Sequence, residues 1–170
     1  MNSELVPHVD KDDNFLGLVE RAEAYKKGLI HRGAHGIIRN EKNLYLIQQR
    51  SRSKSSWPGH YDLSLAETVK PDETYEDALK RGLKEELDIE DVPISVIKAK
   101  YYQEYFWEAY KVFGVVYLYE ILSNKEPRFA DGEVMNSQWL TENEVFVLIT
   151  DFSKCTPWFV NDWKFYIQTK

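Results

Sequence analysis

The sequence predicts one globular domain of the mixed α/β class. Strand-like segments rich in β-branched and aromatic residues lie before and after a central amphipathic helix, and a second, aromatic-rich helix follows them. The 170 residues are 43% hydrophobic and 14% aromatic, a composition that supports a single packed core. Residues 1–170 are therefore expected to form one domain, with the polar residues 1–12 as a loose N-terminal arm.

The charge and composition of the chain exclude several classes of protein. The formal net charge is −6 and no basic run occurs, so tight nonspecific binding of nucleic acid is not expected. No apolar run has the length of a membrane span, and the first residues lack the apolar region of a signal sequence. The single cysteine, Cys155, provides neither a disulfide framework nor a cysteine zinc site. These features favour a cytoplasmic protein without membrane partners.

Segments with β-branched and aromatic residues, separated by turn residues, predict the strands. Ile30–Arg39 and Leu44–Gln49, joined by the turn Asn40–Asn43, predict a β-hairpin. Arg21–Gly28 is expected to be a charged connection. The other predicted strands are Phe15–Val19, Val92–Tyr101 and Lys111–Ile121.

Capping residues mark where the predicted helices begin. Thr141 is expected to cap the helix Thr141–Ile149, with Glu144 as its partner in a capping box. Asp72 or Thr74 is expected to cap the central helix. The last helix begins at a Thr-Pro pair, where proline is well placed. Its aromatic residues predict packing against the sheet and leave a homodimer contact open.

The segment Glu67–Ile89 joins a proline-containing loop to the central amphipathic helix. At about 100° per residue, one side of this helix is apolar, with Tyr75, Ala78, Leu79, Leu83 and Leu87. Glu86 projects into that stripe, with Glu85 at its edge and Gly82 one turn earlier. A half-buried carboxylate beside a second one is unfavourable unless a positive charge compensates it. Helix geometry leaves two partners open, a divalent metal ion or a basic side chain such as Arg81.

This segment resembles the Nudix box, G-x5-E-x7-R-E-U-x-E-E-x-G-U, in which U is an aliphatic residue. The spacing is kept without a gap, and the matching residues are Glu73, Arg81, Leu83, Glu85, Glu86 and Ile89. Three positions depart from the pattern. The opening glycine is Glu67, the glutamate after the arginine is Gly82, and the late glycine is Asp88.

The resemblance implies the Nudix fold, a mixed β-sheet sandwiched between helices, and a hydrolase that depends on Mg²⁺ or Mn²⁺. In the family the glutamate pair, here Glu85 and Glu86, binds the metal ion, and the glutamate at the position of Gly82 is a metal ligand or base. Glu67 lies in the loop that faces the metal, so its carboxylate is a candidate replacement ligand. The residues implied in catalysis are Glu73, Arg81, Glu85 and Glu86.

Sequence outside the box resembles the branch of the superfamily that includes isopentenyl-diphosphate isomerase and its hydrolase relatives. Nearly the whole chain is covered, through the segments DKDDNFLGLVERAEAYKKGLIHRGAH, QQRSRSKSSWPGHYDLSL and DGEVMNSQWL, the last implying a strand at Asp131–Leu140. The isomerase has a catalytic cysteine and a histidine where this chain has Ala66 and Thr68, and Cys155 is distant in sequence. The resemblance therefore argues against isomerase chemistry, because the central acid–base residue is missing.

The most basic segment of the chain is Arg50–Gly59, which carries Arg50, Arg52 and Lys54. The resemblance places this loop near the mouth of the active site. Its three cations would there hold the phosphates of a small substrate, expected to be a nucleotide. The alternative interpretation is that these residues form a solvated turn that binds no ligand.

Tyr101–Tyr110 contains six aromatic residues in ten. These rings would either stack on a ligand or, as is more common, pack the core of a hairpin. The resemblance also allows a metal ligand or base from outside the box, for which Glu104 and Glu108 are candidates and Glu120 a weaker one. Three histidines lack the tight spacing of metal ligands and are expected to be structural or exposed: His31, His35 and His60.

Three hypotheses about function remain. The favoured one is a Mg²⁺-dependent pyrophosphohydrolase that acts on a nucleoside diphosphate linked to another group. The second is a degenerate Nudix domain that binds a phosphorylated ligand or a protein without turnover, and Gly82 argues for it. The third, an isomerase of isoprenyl diphosphates, is opposed by Ala66.

Overall fold

The computed structural model describes residues 4–107, 110–129 and 132–170, without the side chains of residues 106, 107 and 110–113. The strands within these ranges are β1 (Leu5–Val9), β2 (Phe15–Glu20), β3 (Ile30–Arg39), β4 (Tyr45–Arg50), β5 (Tyr61–Asp62), β6 (Leu65–Thr68), β7 (Ile94–Trp107), β8 (Tyr110–Leu122) and β9 (Val134–Leu140). The helices are α1 (Arg21–Lys27), α2 (Tyr75–Leu87), α3 (Glu142–Leu148) and α4 (Pro157–Gln168), with a short 3-10 helix at Phe152–Lys154.

Strand β3 lies at the centre of a mixed sheet. It runs parallel to β8 along its whole length, from the pair Ile30–Phe113 to the pair Arg39–Leu122. Along its other edge it pairs in turn with β1, β6 and β4, all antiparallel. β7 extends the sheet beyond β8, whereas β5 and β9 pair with β4. Residues of β3 therefore reach both halves of the sheet.

Helices cover both faces of this sheet. On one face, α3 and α4 pack against a cluster that includes Ile37, Tyr45, Ile47, Leu118, Val145, Phe159, Trp163 and Tyr166. On the other face, α2 packs against a cluster that includes Ala34, Ile38, Leu46, Leu65, Leu79, Leu83, Leu87 and Ile121. Residues that alternate along β3, such as Ile37 and Ile38, enter opposite clusters, as the two-residue period of a strand requires. The predicted sheet sandwiched between helices is confirmed.

Two expectations for the start of the chain are wrong. Residues 1–12 were expected to be a loose arm, but β1 pairs with β2 and β3, and its residues Val6 and Val9 are fully buried. A strand this short gains its order from the neighbours it pairs with, which a local pattern does not show. Residues 1–3 of the expected arm lie outside the described residues. The expected connection Arg21–Gly28 is helix α1, which ends at Gly28 in the left-handed conformation (φ 62°).

The predicted hairpin is correct in its strands but not in its pairing. β3 and β4 share only the pair Arg39–Tyr45 next to the turn, and β4 then pairs along its length with β9. The late strand and the two last helices occur as predicted. Thr141 and Glu144 form the capping box of α3, and Pro157 is the first residue of α4. In the described ranges, no helix combines the length and the apolar character needed to cross a membrane.

Candidate active site

Helix α2 is fixed at both ends by its own residues. The Thr74 hydroxyl accepts a hydrogen bond from the Asp77 backbone N–H (3.1 Å), and the Asp77 carboxylate accepts one from the Thr74 N–H (3.1 Å). Asp88 ends the helix with a left-handed backbone (φ 54°), the position where the Nudix box has its late glycine. The predicted apolar stripe packs against β3 and β6, and the buried helix residues are Ala78, Leu79, Gly82, Leu83 and Leu87.

The edge of α2 that carries Arg81, Glu85 and Glu86 borders an open cleft of about 1040 Å³. Glu85 and Glu86 from α2 line this cleft together with Glu67 from β6. Arg50, the last residue of β4, and Lys54, in the loop after it, line the cleft as well. Carboxylates and cations thus share one cavity, which is the combination that a metal ion and a phosphorylated substrate need together.

Arg81 is the centre of an ion-pair network in the wall of the cleft. Its guanidinium donates to both carboxylate oxygens of Glu73 (Nε–Oε1 2.7 Å, Nη2–Oε2 3.1 Å) and to Glu67 Oε2 (Nη1, 2.9 Å). Nη2 also reaches the backbone carbonyl of Thr68 (3.1 Å), and Glu85 Oε2 lies 3.7 Å from Nη1. Hydrogen bonding to Glu73, together with the charge of Glu67, raises the pKa of Arg81. The residue therefore stays charged and ties the loop and β6 to the helix.

The Glu67 side chain fills the space that a side chain at position 82 would need. Gly82 is buried, and a Cβ atom added to it would lie 2.5 Å from Glu67 Cγ and 2.6 Å from Glu67 Oε1. Any side chain at position 82 would therefore collide with the Glu67 carboxylate as it now lies. Two of the three box positions that depart from the Nudix pattern are thus in direct contact.

The loop residues predicted to bind substrate divide into two groups. Arg50 and Lys54 line the cleft, where Arg50 is held by Asp62 Oδ2 (3.0 Å) and Lys54 pairs with Glu133. The Arg50 guanidinium also lies over the ring of Trp158, 5.5 Å from its centre. Arg52 is exposed and does not line the cleft. The structure therefore brings two of the three predicted cations to the site.

Aromatic side chains from three elements form another part of the cleft wall. Trp57 and Trp158 pack edge to face with ring centres 4.8 Å apart, and Tyr105 packs against Trp158 at 5.7 Å. Only Tyr105 belongs to the aromatic run Tyr101–Tyr110 that the sequence singled out. Trp57 carried a usable signal, because its Trp-Pro-Gly sequence forms the end of the basic segment Arg50–Gly59.

Sequence reasoning missed a buried hydrogen-bond cluster beside the cleft. His35, which lines the cleft, contacts Asp162 Oδ2 through Nδ1 (2.6 Å), and Asp162 also accepts hydrogen bonds from Tyr101 and Gln103. Asp162 is fully buried. Burial, and then the charge of Asp162, raises the pKa of Tyr101, which keeps that hydroxyl protonated as a donor. The available signal was the position of Asp162 on the same helix face as Phe159 and other aromatic residues.

The cluster orients the ring of His35. An acceptor at Nδ1 favours the tautomer that carries its proton there, which leaves a lone pair on Nε2. Nε2 lies 3.3 Å from where a Cβ of Gly33 would be, so glycine at that position gives the imidazole room. His31 also lines the cleft, whereas His60 does not. Two of the three histidines expected to be structural or exposed are therefore at the site.

Two of the three acidic residues proposed from outside the box, Glu104 and Glu120, do not line the described cleft. Glu104 is exposed and accepts a hydrogen bond from Tyr102 (3.1 Å). Glu120 pairs with Arg39 (3.0 Å) and accepts a hydrogen bond from Tyr166. Glu108 lies outside the described residues. The structure thus supports neither Glu104 nor Glu120 as an additional ligand.

The two positions at which the isomerase has its cysteine and histidine, Ala66 and Thr68 in this chain, lie in the wall of the cleft. Ala66 pairs with His35 across β3 and β6. Cys155 is buried elsewhere, next to the carbonyl of Leu148 (3.6 Å). Burial raises the pKa of the Cys155 thiol to about 12. The only cysteine is therefore a protonated core residue.

The donor chemistry of the cleft fits the divalent metal ion that the resemblance implies. Glu67, Glu85 and Glu86 offer carboxylate oxygens, which Mg²⁺ and Mn²⁺ prefer as protein ligands. In the part of the chain that the structure describes, no group of three or more His, Cys, Asp or Glu side chains is already placed to hold an ion. Arg81 pairs instead with Glu67, Glu73 and Glu85. Three carboxylates facing one guanidinium leave two negative charges, which a divalent cation would balance.

The fold and the box define a member of the Nudix family. Residues 29–159 match the NUDIX domain, and the chain belongs to the Nudix hydrolase family. A protein of Deinococcus radiodurans of known crystal structure shares the fold, with a TM-score of 0.76 and 22% identity over 95% of this chain and 98% of that one. A MutT protein from Methanosarcina mazei superposes with a TM-score of 0.66 at 19% identity, over 82% of this chain and 94% of its own.

Two sequence relatives come from the branch identified above. An isopentenyl-diphosphate Δ-isomerase from Photorhabdus laumondii is 30% identical over 97% of this chain and 96% of its own length. A prenyl-diphosphate phosphatase from Methanosarcina mazei is 41% identical over 50% of this chain and 49% of its own. The branch therefore contains both an isomerase and a phosphatase that act on isoprenoid diphosphates, so the residues of the site must distinguish the two chemistries.

Proposed function

We propose that the protein is a metal-dependent Nudix hydrolase that cleaves a pyrophosphate bond in a small phosphorylated substrate, with nucleoside diphosphate derivatives as the first class to test. The observation that carries the proposal is the arrangement on α2. Arg81 is tied to Glu73 and Glu67. Glu85 and Glu86 line the same cleft as two cations, Arg50 at the end of β4 and Lys54 in the loop after it. This pairing of carboxylates with phosphate-binding cations suits phosphoryl transfer.

In this reaction the chain's own residues bind and orient. Glu85 and Glu86 would hold the metal ion, which would act as a Lewis acid toward the phosphate oxygens and lower the pKa of the attacking water. Arg81 and Glu73 keep α2 in position against the loop before it. Water adds to one phosphorus atom and the bridging P–O bond breaks, so that each molecule of water consumed yields two phosphorylated products.

Substrate recognition is assigned to the remaining walls of the cleft. Arg50 and Lys54 bind the substrate phosphates, since both are cationic and line the cavity. Trp57, Tyr105 and Trp158 offer ring faces and edges to the group attached to the diphosphate. Such a wall accepts either a nucleobase or an isoprenoid chain. The phosphatase relative makes prenyl diphosphates the second class in the test panel.

The first experiment measures product release from nucleoside diphosphate derivatives, nucleoside triphosphates, dinucleotides and prenyl diphosphates. Each substrate is assayed with Mg²⁺, with Mn²⁺ and with a chelator. Release that requires the metal ion is expected for at least one class. If no member of the panel is hydrolysed under any of these conditions, the proposal is wrong.

Glu86→Gln tests the assignment of the metal-holding pair. The substitution keeps the shape of the side chain and removes its charge, so metal-dependent turnover is expected to fall by about 100-fold or more. Thermal unfolding should be little changed. The matched control is Glu76→Gln on the solvent-facing side of the same helix, where Glu76 is 53% exposed and pairs only with Lys80 in the described contacts. Equal activity in Glu86→Gln and wild type would contradict the site.

A domain that binds a phosphorylated ligand without turnover is the second candidate, and Gly82 is the observation that favours it. The box glutamate at this position is missing, and its loss would remove a ligand or base. This candidate predicts that a panel member raises the melting temperature although none is hydrolysed. An isomerase is not proposed, because Ala66 carries no proton donor and Cys155 is buried away from the cleft.

A further inference from the structure

We propose that Glu67 is a metal ligand that takes over the role of the carboxylate missing at Gly82, so that the ligand is carried by β6 instead of α2. This inference rests on the proposed metal-dependent site and specifies one of its ligands. The Glu67 side chain and any side chain at position 82 exclude each other, because a Cβ at Gly82 would be 2.5 Å from Glu67 Cγ. A carboxylate can reach this space from strand or helix, but not from both.

Burial argues that the Glu67 carboxylate has a partner beyond Arg81. The Glu67 side chain is only 11% exposed, and a carboxylate removed from water is costly unless its charge is compensated. Arg81 contacts Oε2 (2.9 Å), but the same guanidinium already makes two hydrogen bonds to Glu73. Oε1 lies over Gly82, on the helix that presents Glu85 and Glu86 to the cleft.

The shared arginine places Glu67 with the residues of the metal site. Arg81 Nη1 lies 2.9 Å from Glu67 Oε2 and 3.7 Å from Glu85 Oε2, so both carboxylates meet at one nitrogen atom. The Glu67 carboxylate therefore lies beside Glu85, one of the two residues that would hold a divalent ion. Gly82 is then required because only a residue without a side chain leaves room for the strand-borne carboxylate.

The test measures Mn²⁺ binding by calorimetry and by electron paramagnetic resonance, without substrate. Glu67→Gln is expected to weaken Mn²⁺ binding about 10-fold or more, the order of effect seen when the shell of a metal site is altered. Gly82→Ala adds no donor and removes none, but its methyl group displaces Glu67, so a comparable loss of affinity is expected. The exposed control Glu76→Gln should bind Mn²⁺ like the wild type.

The exchange variant E67G/G82E returns the carboxylate to the helix. It is expected to recover Mn²⁺ affinity to within about threefold of the wild type, whereas E67G alone stays weak. Wild-type Mn²⁺ affinity in Glu67→Gln would overturn the inference, and so would a folded E67G/G82E protein no better than E67G. If E67G/G82E does not fold, the Glu67→Gln and Gly82→Ala affinities decide the matter.

Failure of this inference is separable from failure of the proposed function. A wild-type protein that hydrolyses its substrate while Glu67→Gln keeps full Mn²⁺ affinity retains the hydrolase and loses the ligand assignment. A wild-type protein that binds Mn²⁺ through Glu67 but hydrolyses nothing in the panel retains the ligand and loses the hydrolase.

Discussion

His31 is a buried imidazole whose surroundings favour the neutral form. Burial, and then the positive charge of Arg21, lowers the pKa of His31 from 6.5 to about 4. The ring packs edge to face against Tyr25, with ring centres 5.4 Å apart. Between these two pKa values the unfolded chain binds a proton that the folded chain does not. The free energy of unfolding must therefore fall as the pH drops through this range.

Wild-type protein is expected to lose about 3 kcal/mol of stability through His31 as the pH is lowered from 7 to 4. The loss begins near pH 6.5, where the unfolded histidine becomes protonated, and levels off near pH 4, where the folded one does too. Urea unfolding at several pH values measures it. His31→Gln should flatten the pH dependence in this window, and His60→Gln on the loop serves as the control. An unchanged slope in His31→Gln would contradict the assignment.

Helix α2 shows how much of an element local residues decide. Its periodicity, its box spacing and its capping box are all local. The structure selects Thr74 over Asp72 as the cap, since it is the Thr74 side chain that accepts the hydrogen bond from the Asp77 backbone N–H. Asp72 lies in the turn before the helix with a positive φ (67°). The far end is less favourable, since Asp88 holds a left-handed backbone that costs a residue with a Cβ more than it costs glycine.

Asp88→Gly is expected to stabilise the protein by about 0.5–1 kcal/mol, because glycine adopts φ near +54° without a steric penalty. Thermal or urea unfolding measures the gain, and Mn²⁺ affinity should stay at the wild-type value. Asp88→Ala is the control and is expected to destabilise the helix end, since alanine tolerates this conformation less well than aspartate. A fall in melting temperature for Asp88→Gly would show that the side chain of Asp88 matters more than its backbone.

At the scale of the whole molecule, Asp162 connects elements that are far apart in the chain. It receives hydrogen bonds from Tyr101 and Gln103 on β7 and contacts His35 on β3 from its place on α4. The cluster therefore joins a covering helix to the centre of the sheet and to the cleft. A fully buried carboxylate with several donors contributes to stability only while all of them remain in place.

Asp162→Ala is expected to lower the free energy of unfolding by about 3–5 kcal/mol, because it leaves the polar groups of three buried partners unsatisfied. Chemical denaturation measures the loss. Asn161→Ala, at the exposed neighbouring position of the same helix, should change stability by no more than about 0.5 kcal/mol. Similar stability of Asp162→Ala and wild type would mean that the cluster does not hold the helix on the sheet.

Much of the fold and part of the site could be predicted without coordinates. The apolar stripe of α2, the Thr141–Glu144 capping box and the proline at the start of α4 follow from contacts within one turn of helix, so a short stretch of sequence contains all their causes. Arg81, Glu85 and Glu86 all lie on α2, so their spacing is also a local feature. Arg81 and Glu85 are four residues apart, so helical periodicity brings them to one side of the helix. Glu86 is turned about 100° away from Glu85, and its place in the same cleft was implied by the resemblance to the Nudix box.

Long-range pairing required the folded chain. The identity of β3 as the central strand, the burial of β1 and the contact between His35 and Asp162 all join residues that no local pattern relates. Glu67 and Gly82 each looked like damage to a motif when taken alone, and they form one contact only because β6 packs under α2. Side-chain packing across elements depends on which surfaces meet, and the periodicity of each element alone does not specify that.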